Sequence, residues 1–151
     1  MHQLESAREG WRVDFSWENG VGVYAGSDIP RFTTIIKSKA IARSKVRDEY
    51  MHSVQVSWNE YIQMDSPACL INHCCSNANV GIRDNEFGAY DFVALRDIVE
   101  GEELIWDHGT CEFDLSSSIS GSFVERHEDI RARYGRYYAE YLHSWTPSAS
   151  A

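Results

Sequence analysis

Leu70–Asn85 reads LINHCCSNANVGIRDN, and Phe92–Thr110 reads FVALRDIVEGEELIWDHGT. The first stretch is rich in Asn, Asp, Cys and Gly, and its small polar residues suggest loop rather than regular structure. The second opens inside AYDFVALRDI, residues 89–98, an apolar run with strong strand character. It then turns around Gly101, and ELIWDHG starts a further strand. Upstream, WRVDFSW at 11–17 alternates, NGVG at 19–22 is a turn, and VGVYA at 21–25 is a short apolar strand. SDIPRF at 27–32 holds a turn proline. TTIIKSKAIA at 33–42 is another β-rich stretch, VQVSW at 54–58 alternates, and NEYIQM closes a short strand. Residues 1–10 are polar and are expected to fray.

The tail changes character. DLSSSISGS, residues 114–122, is a Ser-rich linker. After it, Ile130, Tyr134, Tyr137 or Tyr138, and Tyr141 recur at helical spacing and predict an amphipathic helix. Gly135 weakens that helix by about 1 kcal/mol against Ala. The tyrosine stripe is read as core packing. Residues 146–151 are expected to be disordered.

Composition bounds the function. The chain has 151 residues, 43% apolar and 25% charged, so one β-rich (α+β) domain with a modest core is expected. No apolar run approaches the roughly 18–20 residues of a spanning helix, and no basic-then-apolar leader precedes Trp11. A net charge of −9 argues against a nucleic-acid partner. The four cysteines, Cys69, Cys74, Cys75 and Cys111, form no CxxC pair. They point to a reducing compartment, cytoplasmic or nuclear, rather than a disulfide framework. Cys74, Cys75, Cys111 and His73 assemble into a zinc set only on paper, because no pair has finger-like spacing, and no metal is expected.

Three words go further than composition. NGVGVYAGSDIP, LINHCCSNANVGIRDN and FVALRDIVEGEELIWDHGT, in that order, resemble the SET domain, the fold of most protein lysine methyltransferases. The resemblance runs from about Gly20 to Gly109. It implies a β-clip of small sheets with a pseudoknot, over residues 11–113, and a C-terminal helix in 114–145 packed as an extension. The implied cofactor is S-adenosylmethionine or its product S-adenosylhomocysteine. Gly20, Gly22, Val23 and Tyr24 resemble the first cofactor motif, where glycine lets backbone approach a ligand closely. Asn72 offers an amide to the methionine part of the cofactor, and His73 a ring and main-chain groups to the adenine side. Trp106 and Phe113 are placed at the acceptor channel, although Tyr24 and Trp106 read first as packing residues.

The departures from the family concentrate at the chemistry. The family usually reads Asp-Tyr-Gly where this chain has Asp107-His108-Gly109. An imidazole serves as general base near neutral pH more readily than a phenol of pKa about 10, which makes His108 the candidate catalytic residue. Cys74 stands where Ser is usual, and either Asn77 or Asn79 takes the place of the motif asparagine. The zinc-binding cysteine tail is missing. Phe32 occupies a turn where Gly is common. Three readings follow: a methyltransferase with a small-molecule, peptide or other non-histone acceptor; a repurposed enzyme of biosynthesis catalysing a non-methylating reaction such as cyclisation; and a cofactor-binding pseudoenzyme that regulates a partner. A histone lysine methyltransferase ranks behind these. A homodimer is the assembly to test.

Overall fold

The short segments separated by turns form three small antiparallel sheets and one parallel pair. The computed structural model describes residues 2–6, 10–47, 53–74, 76–113 and 122–145. The first sheet has the order β1-β2-β3, from His2–Ser6, Trp11–Ser16 and Gly20–Ala25. The expected fraying of the N-terminus is not found over His2–Ser6. That segment pairs antiparallel with β2, with a bulge between Gln3 and Glu5. Polarity did not prevent pairing, because an edge strand needs only main-chain groups. The β2–β3 hairpin turns at Trp17–Asn19 and returns through Gly20, whose φ of 71° suits a residue without Cβ.

β4 (Thr34–Lys37), β10 (Tyr90–Ala94) and β9 (Val80–Asp84) form the second sheet, with β10 central. Every residue of β10 is buried. That matches its mostly apolar text, since a strand covered on both faces has no solvent side, and its one acid, Asp91, is paired with Arg83. Val80–Asp84 corrects the loop expectation for 70–85. Its Val80 and Ile82 are 1% and 0% exposed and pair with β10. The flanking Asn and Gly residues hid this strand from a reading of composition. The third sheet has the order β5-β7-β6, from Ala40–Ser44, Glu60–Met64 and Val54–Ser57. β8 (Asn72–His73) and β11 (Ile105–Trp106) run parallel.

The C-terminal helix α1 spans Ser122–Tyr134 and stops at Gly135, whose φ is 61°. The Gly135 N–H bonds the Arg131 carbonyl at 3.1 Å, so the glycine caps the helix rather than merely weakening it. A short α2, Glu140–His143, follows. Ile130, Tyr134, Tyr138 and Leu142 are buried in the same core as Phe92 and Trp106, so the tyrosine stripe does pack. The Ser-rich linker, except Ser122, and the terminal tail lie outside the described residues.

Phe32 is the one described non-glycine residue at positive φ, 69°. That conformation costs an L-residue about 1–2 kcal/mol. Its ring stacks on Tyr137 at 5.7 Å, a contact that contributes about 0.5–1.5 kcal/mol. The two terms offset one another, and the ring stays 52% exposed.

Candidate functional site

The β8–β11 pair threads one segment beneath another. The Cys74 N–H donates to the Trp106 carbonyl at 3.0 Å, and the Asn79 N–H donates to the Ile105 carbonyl at 2.9 Å. Asn79 is buried and spends its whole side chain there. Its Nδ2 donates to the Glu103 carbonyl at 2.8 Å, and its Oδ1 accepts the Ile105 N–H at 2.8 Å. Asn77 is exposed. The asparagine that locks the knot is therefore Asn79, which resolves the alternative left open by sequence.

Asn72 sits where β8 meets β3. Its Nδ2 donates to the Glu103 carboxylate at 2.7 Å and to the Val21 carbonyl at 3.1 Å. Glu103 also accepts from Asn19 Nδ2 at 3.0 Å. A Cβ at Gly22 would lie 2.5 Å from a Glu103 carboxylate oxygen and 3.0 Å from Asn72 Nδ2. Gly22 is thus the position where absence of a side chain lets the knot press against β3. Nothing in the sequence singled out Glu103; its signal was only a second acid in GEEL.

His73 Nδ1 accepts the His108 main-chain N–H at 2.8 Å. The same nitrogen lies 3.2 Å from the Trp106 carbonyl oxygen, so the ring is held between two main-chain groups of the final motif. The two histidine rings stack at 4.2 Å, and Trp106 meets His108 edge-on at 4.4 Å. Trp106 in turn packs on Phe92 at 5.3 Å, which ties the imidazole pair to the core.

Asp107 fixes the turn that carries His108. Its side chain is fully buried. It accepts the Gly109 N–H and the Tyr134 hydroxyl, each at 2.8 Å, and pairs with Arg126. Burial first, then the bond to Asp107, pushes the Tyr134 phenol well above its usual range, so it donates as a neutral hydroxyl. Arg126 gave no sequence signal, because its partner lies across the fold on the neighbouring turn.

A cleft of about 390 Å³ opens beside these groups. Val54, Met64, Ala68 and Ile71 form its apolar wall, and Asn72, His73, Trp106 and His108 form the other side. Among the described residues, no Asp, Glu, Lys or Arg lines it. Burial pushes up the thiol of Cys69, at the rim, which keeps it protonated at neutral pH. Of the residues singled out by sequence, the cleft gathers Asn72, His73, Trp106 and His108. Gly22 backs Asn72 from behind. Gly20 lies in the hairpin turn. Val23 is buried, its carbonyl accepting the Leu104 N–H at 2.7 Å, and Tyr24 is buried at a bridge to Glu103. Phe113 packs between Trp58 and Trp145, at 5.0 and 6.3 Å, away from the cleft.

The SET-domain family model matches residues 20–109, and the chain belongs to the SET-domain family. Solved structures agree on the fold. CpSET8 from Cryptosporidium superposes with a TM-score of 0.50 at 23% identity, over 66% of this chain and 57% of that one. ATXR5 in complex with histone H3.1 mono-methylated on R26 gives 0.57 at 19% identity, over 70% and 59%. The methyltransferase domain of human PR domain-containing protein 2 gives 0.51 at 20%, over 67% and 78%. The chain thus spans less than two thirds of the first two structures. A search of the curated proteins finds no match.

Proposed function

We propose that this SET domain is an S-adenosylmethionine-dependent methyltransferase acting on a small-molecule or other non-histone acceptor, with His108 as its general base. The observation that carries the reading is the single cleft that gathers Asn72, His73, Trp106 and His108 beside an apolar wall. Its volume falls within the range of roughly 300–1,000 Å³ usual for small ligands. The donor set suits the cofactor. Both Asn72 amide hydrogens are spent on Val21 and Glu103, which leaves Oδ1 as an acceptor matched to an ammonium group. When bound, the cofactor supplies an electrophilic methyl group. The chain's own residues do the rest. His73 holds the His108 main chain, and the stack between His73 and Trp106 sets the imidazole plane. His108 takes the acceptor's proton. The apolar wall excludes water and strengthens polar contacts inside.

The supporting contrast with a histone-directed enzyme is the imidazole in place of the family tyrosine. The test is transfer of label from methyl-labelled S-adenosylmethionine to a panel of small amines and lysine peptides. Label on an amine, lost in His108→Ala, is the expected result. Failure to bind the cofactor or its demethylated product at about 1 mM sinks the reading.

A further inference from the structure

Phe32 remains unexplained by either the fold or the cleft. It keeps a backbone conformation suited to glycine, leaves half its ring in water, and adds little net stability through Tyr137. Its surroundings are specific. The Arg31 guanidinium lies over the Phe32 ring at 4.5 Å, and the Arg136 guanidinium over the Tyr137 ring at 5.5 Å. These pairwise contacts link the four side chains into one cluster that joins the turn before β4 to the turn after α1. Most other described arginines, Arg12, Arg43, Arg83 and Arg96 among them, meet a carboxylate. Among the described residues, the two in the stack do not, and Arg31 spends only Nε, on the Leu95 carbonyl at 3.0 Å. Asp97 lies beside the patch and accepts the Arg31 main-chain N–H at 2.8 Å, without an ion pair to either guanidinium.

We propose that the Arg31–Phe32–Tyr137–Arg136 stack is a docking surface for an acidic peptide segment of a partner protein, one that also presents an apolar or aromatic side chain. The exposed Phe32 ring would cover that apolar side chain, and the unspent guanidinium N–H groups would take carboxylates on either side of it. Stacking on the rings holds the guanidiniums in place before binding, so less side-chain freedom is lost on docking. A polyanion such as nucleic acid is disfavoured by the chain's net charge of −9, whereas a short acidic segment brings few charges. The surface shares no residue with the cleft lining, so this inference stands apart from the catalytic reading.

The probe is a fluorescent pentapeptide, Glu-Glu-Phe-Glu-Glu, titrated with the full chain at low salt and followed by anisotropy. Binding in the range of about 10⁻⁴ M is expected. Phe32→Gly should retain the fold, since glycine takes the positive φ without strain, and should weaken binding about tenfold. Arg31→Glu with Arg136→Glu should abolish it, and a Lys-Lys-Phe-Lys-Lys control should not bind. No binding at about 1 mM, binding unchanged in Phe32→Gly, or tighter binding of an oligo-dT of equal charge would each overturn the proposal. Cofactor affinity should be the same in all these variants.

Discussion

At the scale of single residues, the proposed role of His108 as general base makes a sharp prediction. As a working base, its replacement by Ala should lower turnover by about 10²–10⁴-fold, while cofactor affinity measured by calorimetry stays within about a factor of three. His108→Tyr restores the family residue on a turn held by Asp107. Lysine-peptide methylation that appears only in that variant would assign the choice of acceptor to this one position. A fall of less than twofold in His108→Ala excludes the imidazole from the reaction. Asn72 gives a second test. Asn72→Ala removes the acceptor Oδ1 and leaves a Glu103 oxygen without its donor. Cofactor binding should weaken at least tenfold, about 1.4 kcal/mol. An unchanged affinity would place the cofactor elsewhere.

At the scale of elements, α1 holds the turn that carries His108 from outside the matched family segment. Arg126 and Tyr134 of α1 converge on the buried Asp107. Arg126→Met leaves a buried carboxylate without its cation, and should cost about 3 kcal/mol in urea unfolding. Tyr134→Phe should cost about 1 kcal/mol, because one hydrogen bond is lost and little volume changes. Equal costs would contradict this division. α1 also sets a pH limit. Burial first, then the positive charges of Arg131 and His143, lowers the His127 pKa. The unfolded chain takes up a proton near pH 6.5 while the folded chain resists it. The unfolded state then binds more protons, so stability is full above that pH and falls as pH drops below it. In His127→Gln that part of the acid slope should flatten. A slope identical to that of the parent chain would rule His127 out as its origin.

At the scale of the molecule, the C-terminal segment is fastened to the turn that carries His108 by side chains and main chain. Besides Arg126 on Asp107, the Ala139 N–H donates to the Thr110 carbonyl at 2.8 Å, and the Tyr141 hydroxyl donates to the Cys111 carbonyl. A chelator should therefore leave Tm unchanged within about 1 °C, where each kcal/mol lost is worth several degrees. A larger fall would reveal a recruited metal. Leu142→Ala, in a fully buried position of α2, should cost about 2–5 kcal/mol. Loss of less than 1 kcal/mol would mean that the C-terminal segment is not part of the core.

Sequence by itself determined the family and the strands whose apolar pattern is local. GVGV, INHCC and WDHG carry the resemblance because each needs particular residue types within a few positions. β10 was legible because a strand buried on both faces reads as nearly continuous apolar text, broken here only by Asp91. The tertiary structure decided everything that depends on a partner distant along the chain. β8 is a strand only because β11 returns beside it. Asn79 rather than Asn77 locks the knot, because only its side chain reaches both Glu103 and Ile105. Glu103 and Arg126 became site residues through contacts with Asn72 and Asp107 that lie 31 and 19 positions away. Local pattern records which face of an element is apolar. It holds no record of which polar groups on other elements will meet there, and in this protein those meetings place His108 at the cleft.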